Sequence, residues 1–93
     1  MPYIKQEKRD VVDSAIDELH LLLVEMDNSD ENNNMEGNIN YIFTRLLMKI
    51  YGESYRDIND AMGVLTCVQQ EFYRIVAAPY ENQKQFENGE IEK

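Results

Sequence analysis

Ser54 to Gly89, SYRDINDAMGVLTCVQQEFYRIVAAPYENQKQFENG, is the stretch on which the fold turns. Ile58, Met62, Leu65, Phe72 and Val76 form one apolar stripe at helical spacing, and Ala61, Val64, Cys67, Val68 and Ile75 form a second beside it. A helix apolar over that much of its circumference must be covered on both sides. The spacing predicts a central helix, with one stripe covered by antiparallel neighbours of the same chain and the other meeting another subunit. Ser54 is the predicted N-cap, with Asp57 as its weak capping-box partner. Pro79 predicts an end or a kink just before it, because proline disfavours helical geometry at Ala78 and has no N–H to donate. Proline equally suits the first turn of a new, short helix, Tyr80 to Asn88, closed by Gly89 with Tyr80 and Phe86 turned inward.

Upstream, Val12, Ile16, Leu19, Leu23 and Met26 recur at steps of four and three, which predicts an amphipathic helix of about 17 residues from Asp10. Ile39, Ile42, Phe43, Leu46, Leu47 and Ile50 mark another, ending near Tyr51-Gly52 with Gly52 as a left-handed cap. Between them DNSDENNNMEGN, residues 27–38, cannot bury enough surface to order itself and reads as a mobile acidic loop. Residues 1–9 read as an extended N-terminal arm and 90–93 as a tail; MPYI and Gly89-Glu90-Ile91 could pair as a short two-stranded patch. The expected fold is all-α: a single helical domain over 1–93, a compact bundle of three main helices plus a short C-terminal helix, oligomeric.

Oligomerisation follows from size as well as from the stripes. A chain of 93 residues buries only about 60–65% of the surface its unfolded form exposes. One cysteine, Cys67, makes no internal disulfide, and no Cys/His cluster offers a structural zinc, so self-association is the remaining source of buried surface. Cys67 itself reads as a small buried hydrophobe in a reducing compartment. The N-terminus has no apolar signal core and no apolar run approaches the roughly 20 residues that span a bilayer, so the expected location is the cytoplasm.

The formal net charge is −9. Residues 1–38 carry ten acidic and three basic side chains, whereas residues 39–78 carry four of each. An acidic surface repels phosphate backbones, which excludes general nucleic-acid binding.

The chemical constellations mostly yield to simpler readings. Asp27, Ser29 and Glu31 could begin an EF-hand loop, but the required glycine is Asn32 and the bidentate glutamate is Asn38. Asp10 with Asp13, and Asp57 with Asp60, suggest the magnesium sites of all-helical nucleotide pyrophosphohydrolases, yet no ExxE occurs and these acids serve helix starts better. His20 and Cys67 are single, so no zinc site or catalytic triad can be assembled in one subunit, and His20 reads as a partly buried edge residue. No catalytic, cofactor or metal residue is assigned. The polar cluster that remains joins Tyr41 and Arg45 on the middle helix to Tyr73 and Arg74 on the third. Structurally, Glu71 pairs with Arg74 or Arg45 and the tyrosines edge the core. Functionally, Tyr41, Arg45, Tyr73 and Arg74 could receive a partner, or an anionic or nucleotide-like ligand by stacking and charge.

The opening MPYIKQEKR, the central NINYIFTRLL and the closing GVLTCVQQEFYRIVAAPYENQKQFENGEI resemble a short family of tailed-phage and prokaryotic proteins. Its members begin MPYI, carry an Asn-Tyr near the start of a middle helix, and end with an EFYRR-like block, APYE and an ENG-acidic tail. Ile75 stands here where a second arginine is usual, and the 27–38 loop is longer. The resemblance implies helical architecture and a phage or prokaryotic origin, and it supplies no activity. The expected function is that of a non-enzymatic, phage-type accessory protein that binds a protein partner, such as a host factor, in the host cytoplasm. The alternatives are an oligomeric binder of a small anionic ligand and, behind it, a small metal-dependent nucleotide hydrolase.

Overall fold

A computed structural model describes residues 4–29, 31 and 34–92. Among them the secondary structure is helical throughout, with no strand, in agreement with the all-α expectation. The pairing proposed between MPYI and Gly89-Glu90-Ile91 falls partly outside the described residues. Residues 89–92 are not in a strand. Contacts divide the chain into two units, Met1–Leu46 and Leu47–Lys93.

In the first unit the arm expected over 1–9 is already turning by Gln6. A 3-10 turn over Gln6–Lys8 follows Lys5, whose carbonyl accepts from the Lys8 amide at 2.9 Å. Helix α1 then runs from Arg9 to Ser29, longer than its apolar pattern by a turn. Arg9 Nε donates back to the Ile4 carbonyl at 3.0 Å and ties the start of α1 to the residues before it. At the other end Ser29 Oγ donates to the Met26 carbonyl at 3.1 Å. Helix α2, Met35–Ile50, also starts earlier than its stripe. The Gly37 amide donates to Asn34 Oδ1 at 3.2 Å and the Asn38 amide to the Asn34 carbonyl at 3.0 Å, so Asn34 is an N-cap. Of the segment expected as a loop over 27–38, residues 27–29 belong to α1 and 35–38 to α2, and residues 30, 32 and 33 lie outside the described residues. An asparagine that looks like loop composition is in fact the signal that ends the loop.

The second unit centres on α3, Tyr55–Phe72. Ser54 is extended (φ −71°, ψ 158°) and its hydroxyl accepts from the Asp57 amide at 3.1 Å, as the sequence predicts. Ser54→Ala should lower stability by about 1 kcal/mol, read as a shifted denaturant midpoint with an unchanged slope. Gly52 does not take the left-handed conformation expected of it. A Cβ there would lie 2.8 Å from Asp57 Oδ2, the mobile end of a side chain that can move aside.

The main departure comes at Pro79. The helix neither ends nor restarts: after α3 it widens into a π turn over Tyr73–Ala77 and continues as α4, Ala78–Asn88. Phe72, Ala77 and Ala78 all keep right-handed helical angles. The Ala78 amide reaches back to the Tyr73 carbonyl, five residues rather than four. In an α-helix the Pro79 ring would clash with the carbonyl four residues earlier, at Ile75. Adding a residue to the turn removes that carbonyl from the ring's path and lets the helix pass through a residue that would otherwise break it. Gly89, at φ 90°, closes the helix, and its amide donates to the Gln85 carbonyl at 2.9 Å.

No described residue is buried within the chain. On α3 Ile58 is 53% exposed, Met62 59% and Phe72 64%, so nothing in the second unit covers that stripe. Cys67 and His20, expected to be buried and half-buried, are both exposed. Tyr80 and Phe86 do not turn inward; Phe86 is 92% exposed.

Candidate functional site

The residues singled out by the sequence fall in both units. Tyr41 and Arg45 lie one turn apart on α2 in the first, exposed beside Asn40 and Thr44, where Thr44 Oγ1 donates to Asn40 Oδ1 at 3.1 Å. Tyr73 and Arg74 open the π turn in the second. Glu71, half-exposed on the last turn of α3, sits three residues before Arg74, and Arg74 Nη2 meets Glu71 Oε2 at 2.9 Å. This is an i,i+3 pair on an accessible face, a contribution of about 0–1 kcal/mol at most. The guanidinium arrives at any incoming anion already neutralised by a carboxylate.

Tyr73 has a partner that the sequence spacing conceals. Its hydroxyl donates to Glu81 Oε2 at 2.9 Å. Eight residues make about 2.2 turns of an α-helix and would leave Glu81 about 80° round from Tyr73. The extra residue in the π turn brings the two back towards one line, and the long phenol spans the rise. Pro79, the π turn and the Tyr73–Glu81 bond are thus one local arrangement. The Glu81 carboxylate holds the phenol's proton: through the hydrogen bond first, its charge second and slight desolvation third, Tyr73 titrates above its ordinary 10.0.

The sign of the linkage follows from that direction. The folded chain binds this proton more tightly than the unfolded one, so the contribution is complete below pH 10.0 and is lost as the pH rises past it. Glu81→Gln should bring the Tyr73 transition back down towards 10, followed by ultraviolet absorbance of the phenolate. A transition that stays put in the variant would mean that Glu81 is not its cause.

Beyond Pro79 the face of α4 is likewise self-satisfied. Lys84 Nζ lies 5.7 Å from the centre of the Tyr80 ring and 3.2 Å from Glu87 Oε2, and Gln83 Nε2 donates to Glu87 Oε1 at 3.3 Å. Among the described residues no group of three or more His, Cys, Asp or Glu side chains stands where it could hold a metal ion. Asp27 and Ser29, weighed and set aside as loop ligands from the sequence, belong to α1, and Asp57 lies in the capped first turn of α3. Among the described residues no helix is long and apolar enough to cross a membrane.

A family model described as a domain of unknown function (DUF6899) matches residues 1–91. No curated protein and no solved structure matches the chain.

Proposed function

We propose a protein-docking role for this chain, which belongs to the DUF6899 family, a domain of unknown function, over residues 1–91. In this reading it is a non-enzymatic accessory protein of phage or prokaryotic origin, working in the cytoplasm by binding protein partners, a host factor among them. One observation carries the reading. Taken unit by unit, the apolar stripes of the described helices are accessible: Val12 and Ile16 on α1, Phe43 and Leu46 on α2, and Ile58 and Phe72 on α3. An apolar helix face left open to solvent is the kind of surface that marks an interaction site.

The polar cluster supports docking over capture of a small anion. Arg74 is engaged by Glu71 and Tyr73 points its only proton at Glu81, so an anionic ligand would meet two carboxylates with the two groups meant to receive it. Such a cluster suits the polar rim of a protein interface, where satisfied hydrogen bonds surround an apolar centre.

A photo-crosslinking residue at Phe72, compared with one at Gln70 on the opposite side of α3, tests the reading in cells. Protein adducts should form from position 72 and be weak from 70. Equal labelling from both, or none from 72, would remove the apolar face as a docking surface.

A further inference from the structure

We infer that Asn88-Gly89 is a site of spontaneous backbone modification, held closed by the last hydrogen bond of α4. The site is independent of the docking face. Asn88 is the final residue of α4 and Gly89 is the residue that closes it. Of the chain's asparagines, Asn88 alone is followed by glycine.

The chemistry needs no enzyme. The Gly89 backbone nitrogen attacks Cγ of the Asn88 side chain, and the bond from Cγ to Nδ2 breaks. Nδ2 leaves as ammonia, taking the proton that the Gly89 nitrogen gives up. The five-membered imide so formed adds water at either of its two carbonyls. One opening leaves an aspartate at position 88. The other leaves the main chain running through the former side chain, with one more carbon in the backbone. Water is the one co-reactant. Glycine suits the attacking position because it has no Cβ to hinder the approach. Nothing beyond its chain neighbours lies within 4 Å of where that Cβ would stand, so no other group shields the nitrogen.

The end of α4 is the gate. Closing the imide ring requires the Asn88 backbone to rotate out of helical geometry, and Asn88 belongs to the helix. The nitrogen that must attack is engaged as well, since the Gly89 amide donates to the Gln85 carbonyl at 2.9 Å. Both restraints end together when that one hydrogen bond opens. Helix ends are the parts of a fold that open at least cost in free energy. Asn59 and Asn82 lack this combination: they lie inside α3 and α4, and Asp60 and Gln83 follow them with side chains that crowd the attacking nitrogen. Conversion also favours the open state. An aspartate at position 88 adds a negative charge at the negative end of the helix dipole, between Glu87 and Glu90.

Incubation of the full chain at neutral pH, folded and in concentrated urea, tests the assignment. Peptide mass spectrometry locates each conversion, and chromatography separates the two isomeric products. Asn88 should convert ahead of every other asparagine in both conditions. Unfolding should speed it about threefold to tenfold, as expected of a terminal turn that is closed most of the time. Gln85→Gly keeps the accepting carbonyl but lowers the helix propensity of the last turn, and should speed the folded chain about twofold to threefold. In urea, where no helix remains to disturb, Gln85→Gly should change nothing and Gly89→Ala should slow conversion at Asn88. Equal rates with and without urea, or a folded chain indifferent to Gln85→Gly, would remove the hydrogen bond as the gate. A folded chain still intact after the unfolded one has fully converted would show that the turn does not open by fraying. An Asn88 that keeps its amide in urea while another asparagine converts would remove the site itself.

Discussion

Phe72→Ala should destabilise the assembled protein by about 3–5 kcal/mol per chain, the usual cost of emptying a packed aromatic site. In the single chain Phe72 is 64% exposed, and there the same substitution would be nearly neutral, since alanine is the better helix former. The two environments thus differ in outcome by most of the stability that a small domain possesses. Phe86→Ala is the internal control: that ring is 92% exposed and lies beyond the π turn, away from the α3 stripes, so its loss should fall within about 0.5 kcal/mol. Denaturant titration of both variants at one protein concentration, repeated at a tenfold higher one, gives the comparison. A large loss at Phe72, together with midpoints that rise with concentration, places the ring in an interface between chains. A loss at Phe72 no greater than that at Phe86 would show that the α3 face is never packed.

The parts of this architecture written in local patterns were open to the sequence. Apolar residues at steps of three and four predict α1, α2 and α3, and Ser54 and Gly89 mark where the long helix begins and closes because capping is a property of one or two residues. The i,i+3 spacing of Glu71 and Arg74 likewise pointed to the pair at 2.9 Å. What was hidden depends on competition between local rules or on surroundings outside the chain. Asn34 was submerged in an Asn-rich run and only its bond to the Gly37 amide shows it to be a cap. Cys67 groups by spacing with the second stripe, and it is exposed as its stripe neighbours Val64 and Val68 are. One stripe is expected to be covered by helices of the same chain and the other by another subunit. Periodicity tells which face is apolar and not which molecule covers it. The Tyr73–Glu81 bond was out of reach for a sharper reason, since an eight-residue separation is no pair in an α-helix and becomes one only across a π turn.

That dependence gives the second large effect. Pro79→Ala should convert Tyr73–Ala77 from a π turn to ordinary α-helix, because the substitution removes the ring that clashes with the Ile75 carbonyl and restores the missing amide donor. Proline in a helix interior costs about 3 kcal/mol relative to alanine. Here the wide turn has already relieved the clash, so the expected gain is nearer the roughly 1 kcal/mol of one recovered hydrogen bond. The geometric consequence exceeds the energetic one. Losing one residue from the turn rotates α4 by about 100° relative to α3, which carries Glu81 away from Tyr73 and turns the Lys84–Glu87 pair to a new side. The phenol then loses the Glu81 hydrogen bond and charge, the two largest causes that raise its titration, and its transition should fall back towards 10.0, while helicity by circular dichroism rises or holds. Glu81→Gln lowers the same transition without moving α4, so amide exchange across Tyr73–Ala77 distinguishes the two: slowed by Pro79→Ala, unchanged by Glu81→Gln. A Pro79→Ala chain that keeps the raised Tyr73 transition would show that the π turn is held by the Tyr73–Glu81 bond itself, and that the proline only occupies a turn the side chains have made.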